Sequence, residues 1–290
     1  MSPPAAAHAA SHAPSDPALP PGFVSRYWSD HTSPVITDLA RQGLIAVMPV
    51  AATEQHGPHL PISTDTAIVD GVIAATVPKM PADLPALFLP TVPFGKSNEH
   101  ARYPGTVTLS ATTLISLWMD IGASLARSGV KKLVIFNSHG GQTSVMDIVT
   151  RDLREQHGIL VVAANWFSLG LPPGLFDTRE QVHGIHAGDI ETSMMMALVP
   201  QFVRTAHLQD FRSLTETLEA ENRYLSIQPR GKVGWQTQDL NPQGAAGDAT
   251  RATPERGHAV LDFVSSRFVE LLQEVARYDL GRLDNAPAWS

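Results

Sequence analysis

The sequence predicts an α/β layered fold with a mainly parallel sheet, and three observations predict it. Short, continuous apolar runs recur along the chain, amphipathic helical patterns lie between them, and polar clusters follow directly on two of the runs. The apolar runs are 44–50 (LIAVMPV), 87–92 (LFLPTV), 131–136 (KKLVIF) and 159–164 (ILVVAA). Runs of this length, without alternation, fit strands buried on both faces, as in a parallel sheet.

The helical patterns have defined ends. In 109–128, Leu114, Trp118, Ile121 and Leu125 fall on one face, Ser110 is placed to cap the start and Gly129 to stop the end. In 253–277, Thr253 can cap, Pro254 suits the first helical position, and Val260, Val264, Phe268, Leu271 and Val275 make one apolar stripe. A further helix is expected over 64–77. Alternation of strand and helix is the pattern of layered α/β proteins. The stretch 227–250, rich in Gly, Pro, Gln and Asn, reads as a long irregular connection. Residues 1–22 read as a flexible Ala/Pro-rich tail whose His8 and His12 are incidental, and 23–290 as a single catalytic domain.

Composition narrows the function. Hydrophobic residues make up 43% of the 290 and charged residues 17%, the balance of an ordinary globular protein. The net charge of −7 argues against nucleic acid as the main partner. No apolar run reaches the length of a membrane span, and the N-terminus lacks the features of a secretory signal. The absence of cysteine excludes disulfides, Cys-zinc sites and a Cys nucleophile, and fits a cytoplasmic protein.

The polar clusters sit where open parallel sheets bind ligands, just beyond the C-terminal ends of strands. The stretch 54–65, EQHGPHLPISTD, holds Glu54, His56, His59 and Asp65, broken by Gly57, Pro58 and Pro61. Glu54 and His56, two apart, point the same way in an extended chain. The Gly-Pro turn can fold Asp65, at the start of the expected helix, back toward them. Carboxylate oxygens with imidazole nitrogens suit zinc, manganese or iron, and a bridging carboxylate can hold two ions. Alone, an E-x-H pair is more often a surface feature. His139, after the third apolar run, and the stretch 183–196, HGIHAGDIETSMMM, add weight.

If a helix begins near Asp189, Glu191 shares a face with Met195 and Leu198 and is drawn inward, where a carboxylate needs a cation or a protonated histidine. A helix rotated so that Glu191 caps its own first turn at the surface fits the spacing equally well. His186 is the candidate for proton transfer. His183 and His59 read as near the site without an assigned role. Ser138 beside His139 has the wrong geometry for a serine nucleophile, and no G-x-S-x-G, P-loop or dinucleotide fingerprint is present. For Asn98, Glu99 and His100 a solvated loop is favoured over a place in the pocket or a reach in from a neighbouring subunit.

Four stretches in order, PVAATEQHGPHLPISTD, FGKSNEHARYPGTVTLS, FNSHGGQ and HAGDIETSMM, resemble the creatininase (creatinine amidohydrolase) family, over about Phe23 to Leu280. The resemblance implies a three-layer α/β/α sandwich, a two-metal site, often a hexamer, and hydrolysis of C–N bonds in cyclic amides or formamides. It implies Glu54, His56, Asp65 and His139 as metal ligands, with Asp65 bridging two divalent ions (zinc, manganese or iron), and His186 and Glu191 in catalysis. Where creatininase reads H-Y-E, this chain has His139, Gly140 and Gly141. The ligating glutamate is missing at Gly141, and Glu191 is expected to take its place as a ligand. The tyrosine is absent too, and Trp166 and Trp235 are the candidates for aromatic walls. The expected substrate is therefore a small molecule that need not be creatinine. The alternatives are another ring-opening hydrolysis or isomerisation at the same metal site, and a non-catalytic hexameric scaffold.

Overall fold

In the computed structural model, which describes residues 19–227, 231–283 and 287–289, four parallel strands form the central sheet. They are β1 (Ile45–Val50), β2 (Ala86–Phe88), β3 (Lys132–Asn137) and β4 (Leu160–Asn165), in the spatial order β2-β1-β3-β4. Each predicted apolar run supplies one strand. The second ends early because Pro90 cannot donate to a sheet ladder. The helices are α1 (Ser33–Arg41), α2 (Thr64–Thr76), α3 (Ala111–Arg127), α4 (Thr143–His157), α5 (Thr178–His183), α6 (Asp189–Leu198), α7 (Leu214–Glu221), α8 (Thr237–Leu240) and α9 (Pro254–Arg277).

The strands read as unbroken apolar runs because both faces are covered. Ile45, Val47, Val134 and Phe136 pack with Ile68 and Val72 of α2, Met194 and Met195 of α6, and Val264 and Phe268 of α9. Ala46, Met48, Leu133 and Ile135 face the other way, onto Leu39 of α1, Leu114 and Trp118 of α3, and Val149 and Leu153 of α4. The result is the three-layer α/β/α sandwich. Burial of the two apolar faces is its main stabilising term.

The helix ends follow the sequence signals. Ser110 Oγ accepts from the Thr113 amide at 3.1 Å, Thr253 Oγ1 accepts from the Arg256 amide at 3.3 Å, and Gly129 takes φ +89° after α3. Lys132, at the start of β3, is buried because its Nζ reaches Ala276 O at 2.6 Å and Val275 O at 2.9 Å, capping the end of α9. The expected irregular connection 227–250 contains α8 and a two-residue pairing of Gly247–Asp248 with Asp210–Phe211; its residues 228–230 lie outside the described residues. Most of the expected tail, 1–18 with His8 and His12, also lies outside them. No helix among the described residues is long and apolar enough to cross a membrane.

The strand order places the site. The chain leaves β1 through α2 to β2 on one flank, then crosses through α3 to β3 on the other flank of β1. Crossovers of one hand put α2 on one face and α3 on the opposite face. The connections therefore diverge at the C-terminal ends of β1 and β3, and open a crevice there.

Candidate metal centre

Each polar cluster reaches the crevice by a local device. After β1 the chain turns back on itself: the Glu54 amide donates to Ile62 O at 3.1 Å, and the Thr64 amide to Pro61 O at 3.2 Å. This turn, set by Gly57, Pro58 and Pro61, brings Asp65 in the first turn of α2 to 3.4 Å from His56 Nε2. His139 follows β3, held by a hydrogen bond from its amide to Asn137 Oδ1 at 2.9 Å. His186 pairs in the antiparallel sense with Ala246 across the crevice. Ala187 then adopts φ +55°, the left-handed region, and its amide donates to Glu191 Oε2 at 2.6 Å. That single turn directs both His186 and Glu191 into the site. The inward reading of Glu191 holds: its carboxylate lies 4.0 Å from His56 Nε2, with a side chain 17% exposed.

The carboxylates and imidazoles form one buried cluster. His139 Nδ1 lies 3.2 Å from Glu54 Oε1 and 3.3 Å from Asp65 Oδ2, and His186 Nδ1 lies 3.9 Å from Glu54 Oε1. Three ligand sets have their donor atoms within 4.8 Å of one another: Glu54, Asp65 and His139; His56, Asp65 and Glu191; and Glu54, His56 and His186. Asp65 is common to the first two.

Electrostatics describe a site built for positive charge. Burial disfavours protonating His56, but Asp65, Glu191 and Glu54 outweigh it and push the imidazole up to about 9. His139 likewise rises well above the ordinary histidine range, burial being overcome by Glu54 and Asp65. Burial would raise Asp65, yet His56 and His139 hold it well below the usual carboxylate range. Burial pushes Glu191 up to about 7 against the pull of His56. His186 is lowered well below the ordinary range by burial and by His56 and His100, so it stands neutral.

A divalent metal fits this donor set. Glu54 Oε2, His56 Nε2 and Asp65 Oδ2 are buried with no hydrogen-bond partner, although buried polar atoms are nearly always paired. Two ligand atoms about 2.1 Å from one ion lie roughly 3–4 Å apart, which is the spacing found here. His56, His139 and His186 each aim one nitrogen at the cluster and the other at a backbone carbonyl, at 3.1 Å to Glu54 O, 2.9 Å to Lys96 O and 2.9 Å to Gln55 O. Anchoring the second nitrogen in this way fixes the tautomer and orientation of a metal-binding histidine.

Two residues expected in solvent belong to the site. Glu99 and His100 are 7% and 2% exposed, and only Asn98 of that trio is in solvent. They are buried because the loop around them docks on Gln55 and on α8: Thr237 Oγ1 donates to Glu99 O at 3.0 Å, and His100 Nδ1 lies 2.7 Å from Gln55 Nε2. This stretch has no hydrophobic period, so its burial was not visible in the sequence; two ionisable residues beside a Y-P-G turn were the only signal. Glu191, expected as a ligand in place of the carboxylate missing at Gly141, stands in one ligand set with His56 and Asp65, and the carboxylate packed against Gly141 itself is that of Glu99.

The remaining candidates separate clearly. His59 is fully buried, stacks on Phe211 with ring centroids 5.2 Å apart, and bonds Thr192 Oγ1 at 3.0 Å; burial lowers it to about 4. His183, at the end of α5, pairs with Thr215 Oγ1 at 2.9 Å, away from the cluster. Ser138 donates its hydroxyl to Asp65 O at 2.7 Å and so braces the start of α2. The cluster forms the floor of a cavity of about 480 Å³ whose walls include Trp166, Phe167, Lys232 and Trp235.

Comparison with known proteins now bears on this geometry. The family profile of creatininase, creatinine amidohydrolase, matches residues 29–272. The chain belongs to the creatininase family. Among creatininase-family relatives, the mycofactocin precursor peptide peptidase of Mycolicibacterium smegmatis is 31% identical over 220 residues, 74% of this chain and 79% of that one. A Bacteroides fragilis protein assigned to creatinine amidohydrolase has a crystal structure that superposes with TM-score 0.68 at 28% identity, over 81% of this chain and 90% of that one. A manganese form of creatininase superposes with TM-score 0.69 over 88% of this chain and all of that one; at 22% identity this is a likeness of fold.

Proposed function

We propose that the chain is a metal-dependent hydrolase of amide-type C–N bonds. The observation that carries this is the convergence of Glu54, Asp65 and Glu191 with one inward-facing nitrogen each from His56, His139 and His186. Glu54, Asp65 and His139 would hold one divalent ion, and His56, Asp65 and Glu191 a second, with Asp65 shared. Bound ions would supply a water acidified to near neutrality and a polarised substrate carbonyl. Manganese, named for the creatininase of the same fold, zinc and iron all suit this oxygen and nitrogen donor set.

The chain's own groups perform the rest. His186 bonds Gln55 O through Nε2, so its Nδ1 faces the cavity unprotonated. Neutral at pH 7, it is placed to take a proton during attack and return it to the leaving nitrogen. Trp166, Phe167 and Trp235 narrow the cavity and exclude water around the scissile bond.

The substrate class is a cyclic amide or a formamide of small-molecule size. A peptide C–N bond is a second reading, favoured by the mycofactocin precursor peptide peptidase at 31% identity. A homo-oligomer, hexameric by family resemblance, is part of the same proposal; the particle mass in solution tests it.

The test of the mechanism is His186→Ala, assayed for metal content and for turnover on cyclic amides, formamides and short peptides. The reading expects metal content to be kept and turnover to fall by ~10²-fold or more. Full turnover with metal bound would remove His186 from the scheme.

A further inference from the structure

Four imidazoles surround the buried carboxylates, three of them lining the cavity, and their hydrogen bonds place the protons in two opposite ways. In His56, His139 and His186 the nitrogen turned away from the cluster meets a backbone carbonyl. A carbonyl only accepts, so that nitrogen carries a proton, and in the neutral ring the other nitrogen offers a lone pair. His100 is the reverse. Its outer nitrogen, Nδ1, lies 2.7 Å from Gln55 Nε2. The orientation of that amide is fixed, because Gln55 Oε1 accepts the Gly57 N–H at 2.9 Å. An amide NH₂ only donates, so Nδ1 of His100 accepts and the proton sits on Nε2. Nε2 faces the cavity floor, 3.5 Å from Glu54 Oε1.

The surroundings hold this arrangement rigidly. Gln55 is 6% exposed and His100 2%. Thr237 Oγ1, which donates to Glu99 O, also lies 3.0 Å from His100 Nδ1 and competes for it as an acceptor; the shorter 2.7 Å contact from the Gln55 amide is the one that sets Nδ1 as acceptor. Gly244, at φ +78°, packs so closely on the Gln55 amide that a Cβ there would overlap it. The same Gln55 also receives the Nε2–H of His186 on its backbone carbonyl. One residue between Glu54 and His56 therefore orients two imidazoles in opposite senses.

We propose that His100 is the hydrogen-bond donor of this pocket rather than one of its metal ligands, and that Gln55 fixes it in that role. Its use rests on the hydrolase reading: a neutral N–H at the edge of a carboxylate cluster suits an oxygen that gathers negative charge, the carbonyl oxygen of an amide under attack. Removing one such donor costs roughly 10²–10³ in kcat in enzymes that use them.

The test needs no knowledge of the substrate. In protein labelled with ¹⁵N-histidine, long-range ¹H–¹⁵N correlation should show the His100 proton on Nε2, both metal-free and with zinc added. Gln55→Glu, which replaces the donor by an acceptor, should move that proton to Nδ1. His100→Ala should still load Mn²⁺ to the wild-type stoichiometry at saturating metal, because every residue of the two proposed ligand sets is kept. It should bind formate, the probe for an oxygen in the cavity, at least ~10-fold more weakly when zinc-loaded, and His100→Gln, which keeps an N–H, should recover part of that loss.

A proton on Nδ1 in wild type, a loss of Mn²⁺ by His100→Ala, or unchanged formate binding would each overturn the proposal. Wild type that binds no metal would instead break the hydrolase reading, while the tautomer measurement on the metal-free protein would still decide the role of Gln55.

Discussion

The carboxylate of Glu99 fills the space that a side chain on Gly141 would need. A Cβ built on Gly141 would overlap Glu99 Oε1 and fall 2.6 Å from His139 Nε2, while Glu99 Oε1 itself lies 3.5 Å from that nitrogen. Gly141 is thus glycine for space, and the site gains a carboxylate against the back of His139 from the loop that carries His100. Gly141→Ala is expected to drive the two apart and turn His139. Loss of such a support typically weakens metal binding by ~10–100-fold. A competition assay with a chromogenic chelator measures this, with the apo Tm as control for folding; wild-type affinity in Gly141→Ala would contradict the packing argument.

The turn at Ala187 gives a second handle. A non-glycine residue at φ +55° carries roughly 1–2 kcal/mol of strain, and Ala187 is fully buried. Ala187→Val puts a β-branched side chain into that conformation and that packing. It is expected to lower stability by ~2–4 kcal/mol in denaturant unfolding. It should also reduce metal content, because the proposed ligand Glu191 is held from this turn, and turnover, because His186 precedes it. Unchanged stability and metal content would show that the turn does not position them.

The raised histidines fix the sign of a pH effect on the metal-free protein. His56 rises from the ordinary value of 6.5 to about 9, and His139 also rises. A group with a raised folded pKa adds stability that is fully present below its unfolded pKa and is lost as pH rises through the folded one. His186 and His100 are shifted down, and their contribution is complete by about pH 6.5. Apo stability is therefore expected to fall by a few kcal/mol between about pH 6.5 and 9. Metal affinity should rise over the same window, since ligand histidines bind unprotonated. Thermal melts of apo and zinc-loaded protein across this range check it; parallel curves would contradict it.

The aromatic walls should separate binding from chemistry. Trp166 is 3% exposed and forms a T-shaped contact with Phe167, so truncating it disturbs the core, whereas Trp235 lies on the connection after residue 227. Trp235→Ala is expected to raise KM several-fold with metal content unchanged, as loss of binding shared by substrate and transition state does. A change in kcat alone would place Trp235 nearer the chemistry.

How far the sequence alone foretold this molecule depends on where the information lay. The strands 45–50, 132–137 and 160–165 were legible because a sheet covered on both faces demands unbroken apolar runs, and α3 and α9 because their caps and stripes are local signals. The meeting of Glu54, His56, Asp65, His139, His186 and Glu191 was legible from their position after strands and from motif order. Glu99 and His100 were not, since only docking on Gln55 and Thr237, from distant segments, takes them out of water. The inward turn of Glu191 needed the left-handed Ala187, a conformation that alanine does not announce. His59 likewise owes its burial to Phe211 and Thr192, far along the chain.

Metal content measured together with activity tests the central claim most directly. Purified protein would be analysed by mass spectrometry for bound metal, then assayed on cyclic amides, formamides and short peptides before and after chelation, with Glu54→Ala alongside. The account expects divalent metal in wild type, about two ions per chain as the shared Asp65 implies, loss of metal in Glu54→Ala, and C–N hydrolysis that chelation abolishes and added metal restores. A wild-type protein that takes up no divalent metal even on reconstitution would contradict it.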